Sequence, residues 1–238
     1  DMYNACEWRN YCRVQATGVK SRPLGRRALV TYAAIAVRPD SPVYTGPQLA
    51  RRKVGVPFYF GTHYLALHML EGFVPREDIV VCSVPHGSRF RFDLLMNGEI
   101  DATTLTEPYV TLAEKKGCRL VCSAFYHGTQ VGTDKIDAET MSAYNRAVGE
   151  AVRRINADKR GYLHYFIDYH KARDPEIGTL SPDDLRESRL VVCEPAPIPL
   201  DEMQRTYDWV KSWGMLEAAQ TPLDLVNADV QARAHAAA

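Results

Sequence analysis

The sequence lacks an excess of charge of either sign. Its 238 residues carry 29 Lys and Arg against 29 Asp and Glu. Without a net field to attract a polyanion, the composition argues against nucleic acid or an anionic membrane surface as a partner. Long apolar runs are missing as well. The best one, residues 28–37, has about half of the length that a transmembrane helix needs, and it predicts a buried strand.

Several motifs of catalysis and metal binding are also missing. The sequence contains no GxGxxG or GxxxxGK[ST] phosphate loop, no GxSxG elbow, no HExxH pair and no CxxC pair. These absences argue against a nucleotide-dependent enzyme and a serine hydrolase. We predict no metal site and no cofactor.

The cysteines, at positions 6, 12, 82, 118, 122 and 193, show no zinc-finger spacing. Cys118 and Cys122 lie in one predicted strand, roughly 13 Å apart, which is too far for a disulfide. We therefore predict no structural disulfide, and free thiols favour a reducing compartment. The chain opens directly in a predicted strand without a leader, so we expect residues upstream.

The length allows one large or two smaller globular units. Between residues 48 and 125, short strands alternate with helices that end at Gly72, Gly98 and Gly117, as left-handed caps require. The predicted strands are 53–57, 78–84, 100–105 and 118–125, and the predicted helices are 62–72, 88–98 and 107–117. This alternation predicts an α/β fold with parallel or mixed βα units.

The pattern is less regular outside this region. The sequence predicts a strand at 1–4, a helix at 7–16, a basic turn at 20–27 and a lobe boundary at the proline-rich segment 38–42. A polar turn at 126–134 precedes the clearest helix, 137–156, with Asp137 as its N-cap. Residues 157–199 are rich in proline and charge and predict one strand, 189–193, before a helix at 200–214.

The turns between strands and helices hold the candidate ligand contacts, because ligands of open α/β sheets lie outside the carboxyl ends of strands. Gly61, Thr62 and His63 open a helix, where unpaired amides suit an anion such as a carboxylate, sulfonate or phosphate. The alternative is that Thr62 merely caps its helix.

Two further turns offer polar side chains. Thr106 and Glu107 precede a helix, and the Glu107 carboxylate could accept a hydrogen bond from a ligand N–H. Alternatively, Glu107 beside Pro108 is only a common sequence pattern at the start of a helix, without a role in binding. His86 and Ser88 lie in another turn of the same region.

The first turn of the chain contains Asn4, Cys6, Glu7 and Trp8. Trp8 could stack on a planar ligand. Cys6 could be a nucleophile where a base lies near it, and is otherwise a small buried hydrophobe.

The segments KVGVP-x3-GT-x-Y and GEIDATTLTEPY-x7-GC-x-LV resemble the type 2 periplasmic-binding-protein superfamily. More narrowly, they resemble the group of sulfonate, taurine and nitrate binding proteins and of pyrimidine-precursor proteins of thiamine metabolism. The resemblance covers roughly residues 41–162, and GxIDA followed closely by EP is its most specific element.

This resemblance implies an α/β fold of two lobes, with mixed sheets flanked by helices and a ligand cleft between them. Residues 1–47 and 126–238 would form lobe 1, without its opening segment, and 48–125 would form lobe 2. It also implies a substrate-binding protein of an ABC importer, extracytoplasmic and partnered by a membrane permease. The small-molecule ligand would be planar or anionic: Gly61 and Thr62 would meet its anionic group, Trp8 and Tyr59 its body, and Glu107 an N–H group.

An enzyme on the same fold, a cytoplasmic decarboxylase, desulfinase or pyrimidine synthase, is the alternative, because fold does not fix function. The cysteine content, unusual for exported members of the group, and the trio Cys6, His63 and His86 favour it. The cysteine-rich motif of the pyrimidine synthases is absent, which argues against that activity. A cytosolic ligand sensor is a third reading and would need a partner domain.

Overall fold

The computed structural model of the chain describes residues 1–6, 8, 21–216 and 225–236. Its strands are β1 Met2–Cys6, β2 Ser21–Val37, β3 Val54–Val56, β4 Val81–Ser83, β5 Ala102–Thr106, β6 Arg119–Thr133 and β7 Val191–Val192. Its α-helices are α1 Gly61–Glu71, α2 Ser88–Met96, α3 Tyr109–Lys115, α4 Ala138–Ala157, α5 Lys159–Lys171, α6 Leu200–Ser212 and α7 Ala228–Ala236.

The chain forms two compact units. Unit 1 comprises Asp1–Val30, His127–Ala157 and Val192–Ala238, and unit 2 comprises Thr31–Tyr126 and Asp158–Val191. These units differ from the lobes expected from the sequence, because residues 31–47, 126 and 158–191 lie in unit 2. Residues 33–37 belong there because they pair with β5.

Unit 2 contains the predicted βα units. Strand β3 pairs in parallel with β4 and β5, and β5 pairs antiparallel with β2, from Ala33 opposite Thr106 to Val37 opposite Ala102. The sheet is therefore mixed, as predicted. Strands β3, β4 and β5 lead into α1, α2 and α3, so the three helix starts follow the carboxyl ends of parallel strands.

The core of unit 2 joins β2, β5 and the helices α2, α3 and α5. Its buried side chains include Tyr32, Phe92, Leu95, Leu105, Leu112, Leu163 and Ile167. Leu163 and Ile167 stand four residues apart on α5, so they share the helix face that packs into this core.

Unit 1 pairs β1 antiparallel with β6, from Met2 opposite Gly132 to Cys6 opposite Gly128. The predicted cap of α4 is confirmed, because Asp137 Oδ1 accepts from the Thr140 amide at 2.8 Å. Helix α4 packs against α7, and Met141 lies in one apolar cluster with Val230.

Two predicted turns are wrong. The basic segment 20–27 lies almost wholly within β2, and the polar segment 126–134 lies almost wholly within β6. The glycines that indicated a turn instead permit close packing. A Cβ at Gly128 would lie 2.2 Å from Arg27 Nε, and one at Gly132 would lie 2.5 Å from Leu24 Cδ1.

Helix α5 was not predicted, although Asp158 caps it by accepting from the Gly161 amide at 3.0 Å. Of the three predicted helix-ending glycines, Gly98 and Gly117 have positive φ angles of 77° and 84°. Gly72 does not: its φ is −66°, because the chain leaves α1 through a right-handed turn.

None of Cys6, Cys82, Cys118, Cys122 and Cys193 forms a disulfide in the described part of the chain. Cys12 and the predicted helix 7–16, apart from Trp8, lie outside the described residues. None of the helices in the described part of the chain is long and apolar enough to cross a membrane.

Candidate functional site

A cavity of about 520 Å³ lies in unit 2, beside the turns that follow β4 and β5. It brings together His86, Thr106 and Glu107, three of the predicted site residues. Its lining residues are His86, Gly87, Ser88, Arg89, Phe90, Thr106, Glu107, Tyr109, Tyr169, His170, Arg173 and Asp174.

Two hydroxyl groups face each other in the wall of this cavity. Ser88 Oγ lies 3.3 Å from Thr106 Oγ1. Behind them, the buried guanidinium of Arg91 donates from Nη2 to Ser88 Oγ at 3.1 Å and from Nε to the Thr104 carbonyl at 2.8 Å. Burial lowers the pKa of Arg91 to about 10, so the side chain remains a cation at neutral pH.

Helix α2 begins at the same place. Its N-cap is Gly87, with a φ of 122° that side chains rarely adopt, and no side chain caps the helix. The first amides of a helix have no intrahelical acceptor, and they carry about half a positive charge. The wall around Ser88 therefore presents hydrogen-bond donors and positive potential.

Glu107 lines the cavity, but its carboxylate is already engaged. Oε2 accepts from the Thr111 amide at 3.1 Å and from Thr111 Oγ1 at 2.8 Å, while Oε1 lies 3.3 Å from Arg189 Nη1. Burial raises the pKa of Glu107, and the Thr111 hydrogen bonds and the Arg189 charge oppose this shift without cancelling it. The predicted hydrogen bond from a ligand N–H to the Glu107 carboxylate stays a prediction.

Asp174, the other carboxylate of the cavity wall, is also engaged. The Tyr109 hydroxyl donates to it, and Arg89 Nη1 lies 3.5 Å from its Oδ2. Burial raises the pKa of Tyr109, and the negative Asp174 raises it further. Tyr109 thus keeps its proton and remains a donor to Asp174.

The turn before α1 forms an aromatic cluster. His63 is 5% exposed, stacks on Phe58 at 4.8 Å, and accepts from the Tyr59 amide through Nδ1 at 3.1 Å. Burial lowers the pKa of His63 to about 4, so the ring is neutral near pH 7. The φ of Tyr59 is 64°, in the left-handed region.

The same turn shows whether Thr62 caps helix α1. The N-cap of α1 is Phe60, without a side-chain cap, and Thr62 is buried within the first helical turn after Gly61. The capping alternative for Thr62 is therefore wrong. Phe60 also stacks on His86 at 4.0 Å, which joins this turn to the cavity wall.

Helix α5 and the turn that follows it supply cavity residues that the sequence analysis missed. The ring of Tyr169 and the side chain of Arg173 line the cavity, with the guanidinium carbon 4.2 Å from the ring centroid. His170 lines it as well, and burial followed by the Arg173 charge lowers its pKa. The apolar pair Leu163 and Ile167 could have indicated this helix.

The remaining predicted residues lie in unit 1. Asn4 is exposed on β1 opposite Gln130, and Cys6 ends the strand opposite Gly128. Trp8 is 8% exposed. Glu7 lies outside the described residues. In the described part of the chain, no group of three or more His, Cys, Asp and Glu side chains could hold a metal ion.

No protein-family profile matches the chain, and no curated protein sequence matches it. Solved structures do. The alkanesulfonate-binding protein SsuA from Xanthomonas axonopodis pv. citri, bound to MOPS, superposes with a TM-score of 0.75 at 16% identity, over 95% of this chain and 80% of that one.

Two further structures are similar. The periplasmic aliphatic sulphonate binding protein SsuA from Escherichia coli gives a TM-score of 0.69 at 14% identity, over 95% of this chain and 75% of that one. The desulfurization enzyme DSZB gives 0.65 at 15% identity, over 99% and 85%. The predicted mixed α/β fold is thereby confirmed: the chain shares the periplasmic-binding-protein fold of these structures.

Proposed function

We propose that the chain is the solute-binding component of an ABC importer and holds a small organic, planar or anionic solute. The observation that carries the proposal is the cavity of unit 2, which places hydroxyls, helix amides and a buried cation beside exposed aromatic rings. The likeness to two sulfonate-binding proteins supports the same role. A membrane permease would be the partner, and the location would be extracytoplasmic.

The chain's own residues suffice for binding without chemistry. Ser88, Thr106 and the first amides of α2 can donate hydrogen bonds to an anionic group, while Phe90 and Tyr169 cover an apolar body. The predicted contacts of Gly61 and Thr62 would add a second helix start. Asn4, Cys6, Glu7, Trp8, Tyr59 and His63 complete the proposed set of ligand contacts.

Native mass spectrometry of the purified protein tests this role, since a binding protein retains its solute through purification. Calorimetry with the identified solute should then give saturable binding, and the solute should be recovered unchanged. Ser88→Ala should weaken binding about five- to tenfold, because one charge-assisted hydrogen bond is lost. Glu77→Gln, at an exposed position of the same unit, is the matched control and should bind as the wild type does.

The second candidate is a cytoplasmic enzyme that acts on the bound acid. The likeness to the desulfurization enzyme DSZB, which has been solved with biphenyl-2-sulfinic acid, favours it. Incubation with that acid discriminates the two roles. Release of sulfite, lost in Cys6→Ala, would contradict the importer role. Binding without sulfite release would argue against desulfination.

A further inference from the structure

Arg91 is a buried cation without a counter-ion in the described part of the chain. Its side chain is nearly inaccessible, with 3% of the residue exposed. Its hydrogen-bond acceptors are the Thr104 carbonyl and the Ser88 hydroxyl, both neutral. A desolvated charge next to neutral groups alone is unfavourable, so a buried guanidinium normally has a carboxylate partner.

Ser88 lies between this charge and the cavity. Its oxygen accepts from Arg91, so its own proton is available for donation to Thr106 or to a bound group. The first amides of α2 lie at the same end of the cavity as Ser88. They have no side-chain acceptor, because the N-cap residue is Gly87. A buried cation and an uncapped helix of nine residues therefore favour an anion at one position.

The carboxylates of the wall do not supply that anion. Glu107 is held by Arg189 and Thr111, and Asp174 by Tyr109 and Arg89. Both are turned to their own partners. No described carboxylate of the wall therefore balances Arg91, which favours a negative charge supplied by a bound solute.

The other walls indicate what carries the charge. Phe90 and Tyr169 line the cavity and are 57% and 60% exposed, and the Arg173 guanidinium already lies 4.2 Å from the centre of the Tyr169 ring. Exposed aromatic faces in a cavity favour stacking on a planar apolar body. A ring bearing one acid group satisfies both features.

We infer that the cavity binds an aryl acid, a sulfonate or carboxylate on an aromatic ring, and that Arg91 is a positioning residue supplying its counter-charge through Ser88. This inference rests on the proposed solute-binding function and specifies its substrate class. Arg91 would make the cavity select a charged solute over a neutral one, because its charge acts on any group that Ser88 and the α2 amides bind.

Benzenesulfonate and its neutral analogue benzenesulfonamide are the probes, measured by calorimetry on the full chain. The wild type should bind the sulfonate at least about tenfold more tightly than the sulfonamide, since hydrogen bonds to an ionised group are stronger. In Arg91→Met this ratio should fall at least about fivefold, the α2 amides accounting for what remains, while sulfonamide binding stays within about threefold. Arg91→Lys should restore part of the ratio.

Ser88→Ala keeps the inference testable if Arg91→Met does not fold, because it leaves the buried charge in place. It should lower the sulfonate-to-sulfonamide ratio about fivefold. An unchanged ratio in the folded Arg91→Met protein would reduce Arg91 to a structural role and overturn the inference. Failure of the wild type to bind either probe would overturn the aryl-acid assignment.

The two proposals fail in different ways. A copurified solute that is recovered unchanged but is not an aryl acid would refute this inference and leave the importer role standing. Turnover of an aryl acid with the Arg91-dependent charge preference intact would refute the importer role and leave the inference standing.

Discussion

Arg91 and Arg189 are two buried arginines of the same unit, and their surroundings are opposite. Arg189 lies 2.6 Å from Glu114 and 3.3 Å from Glu107, with its guanidinium 5.1 Å from the centre of the Tyr32 ring. Arg91 has a carbonyl and a hydroxyl as partners. Burial lowers the pKa of both, but the Glu114 hydrogen bond and the nearby negative charges reverse this for Arg189 and raise its pKa.

The difference separates two uses of a buried charge. Around Arg189 the charges balance within the chain, so the network joins the segment before β7 to Glu107, just before α3, and to Glu114, in the last turn of α3. Around Arg91 they balance when an anion occupies the cavity. A matched guanidinium contributes to the fold, whereas an unmatched one contributes to binding, and the two can be broken separately.

The largest expected effect is on stability. Arg189→Met should lower the free energy of unfolding of unit 2 by about 3–5 kcal/mol, because it leaves Glu107 buried without its cation. Arg91→Met should cost about 1 kcal/mol or less, since it removes an unmatched charge together with two hydrogen bonds to neutral groups. Hydrogen exchange of the α3 amides, followed in urea, measures both.

The double variant Arg189→Met with Glu107→Gln controls this comparison. Removing both charges should recover most of the lost stability, because Glu107 is no longer a buried ion and Glu114 keeps Arg186 at 3.4 Å. Equal destabilisation by Arg91→Met and Arg189→Met would contradict the distinction between the two arginines.

Much of unit 2 was predictable from the sequence because its signals are local. Short apolar segments before helix-length segments predicted β3 to β5 and α1 to α3, and Gly98 and Gly117 marked two of the helix ends. The long strands β2 and β6 were partly misread. Gly128 and Gly132 look like turn residues, and their packing against Arg27 and Leu24 depends on contacts about a hundred residues away in sequence.

The site was predicted in part for the same reason. The turns after β4 and β5 were found because they follow strand ends, so His86 and Thr106 were placed in one region. The engagement of Glu107 was not predictable, because its cation, Arg189, is 82 residues away along the chain. The contribution of α5 was missed with the helix itself.

His63 is a third buried base of unit 2. Unlike the two arginines, it can avoid carrying a buried charge by losing its proton near neutral pH. Its pKa is lowered to about 4 by burial, below the value of 6.5 for an exposed histidine. The unfolded chain therefore binds more protons between pH 6.5 and 4, and stability falls as the pH falls through this window. The loss attributable to His63 should reach about 3 kcal/mol at pH 4.

His63→Asn removes this titration while retaining an acceptor near Nδ1. Urea unfolding as a function of pH should show a shallower loss of stability between pH 6.5 and 4 than in the wild type. His164→Asn, at an exposed position of unit 2, controls for the removal of a histidine. Parallel curves for His63→Asn and the wild type would show that His63 does not need to remain neutral in the folded state.

Two threonines divide in the same way as the two arginines. Thr106→Val removes a hydroxyl on the side of Arg91 and should weaken benzenesulfonate binding about fivefold, or about 1 kcal/mol, with little change in stability. Thr111→Val removes a donor to Glu107 and should cost about 1–2 kcal/mol of stability with little change in binding. Calorimetry and urea unfolding should be measured on both variants. If one variant changed both binding and stability, the groups around Arg91 and those around Arg189 would not act separately.

The smallest effect is expected from Arg173, an exposed guanidinium over the Tyr169 ring that has no carboxylate partner among the described residues. Arg173→Gln should weaken benzenesulfonate binding about two- to fivefold at low ionic strength, because an exposed charge is worth at most about 1 kcal/mol. The loss should vanish in about 1 M salt, where the screening length is about 3 Å. The Arg91→Met loss should persist there, since salt does not enter a buried site. Calorimetry across the salt range therefore compares the contributions of the two cations to affinity. If the loss of affinity in Arg91→Met also vanished at high salt, the Arg91 charge would be accessible to solvent rather than buried behind Ser88.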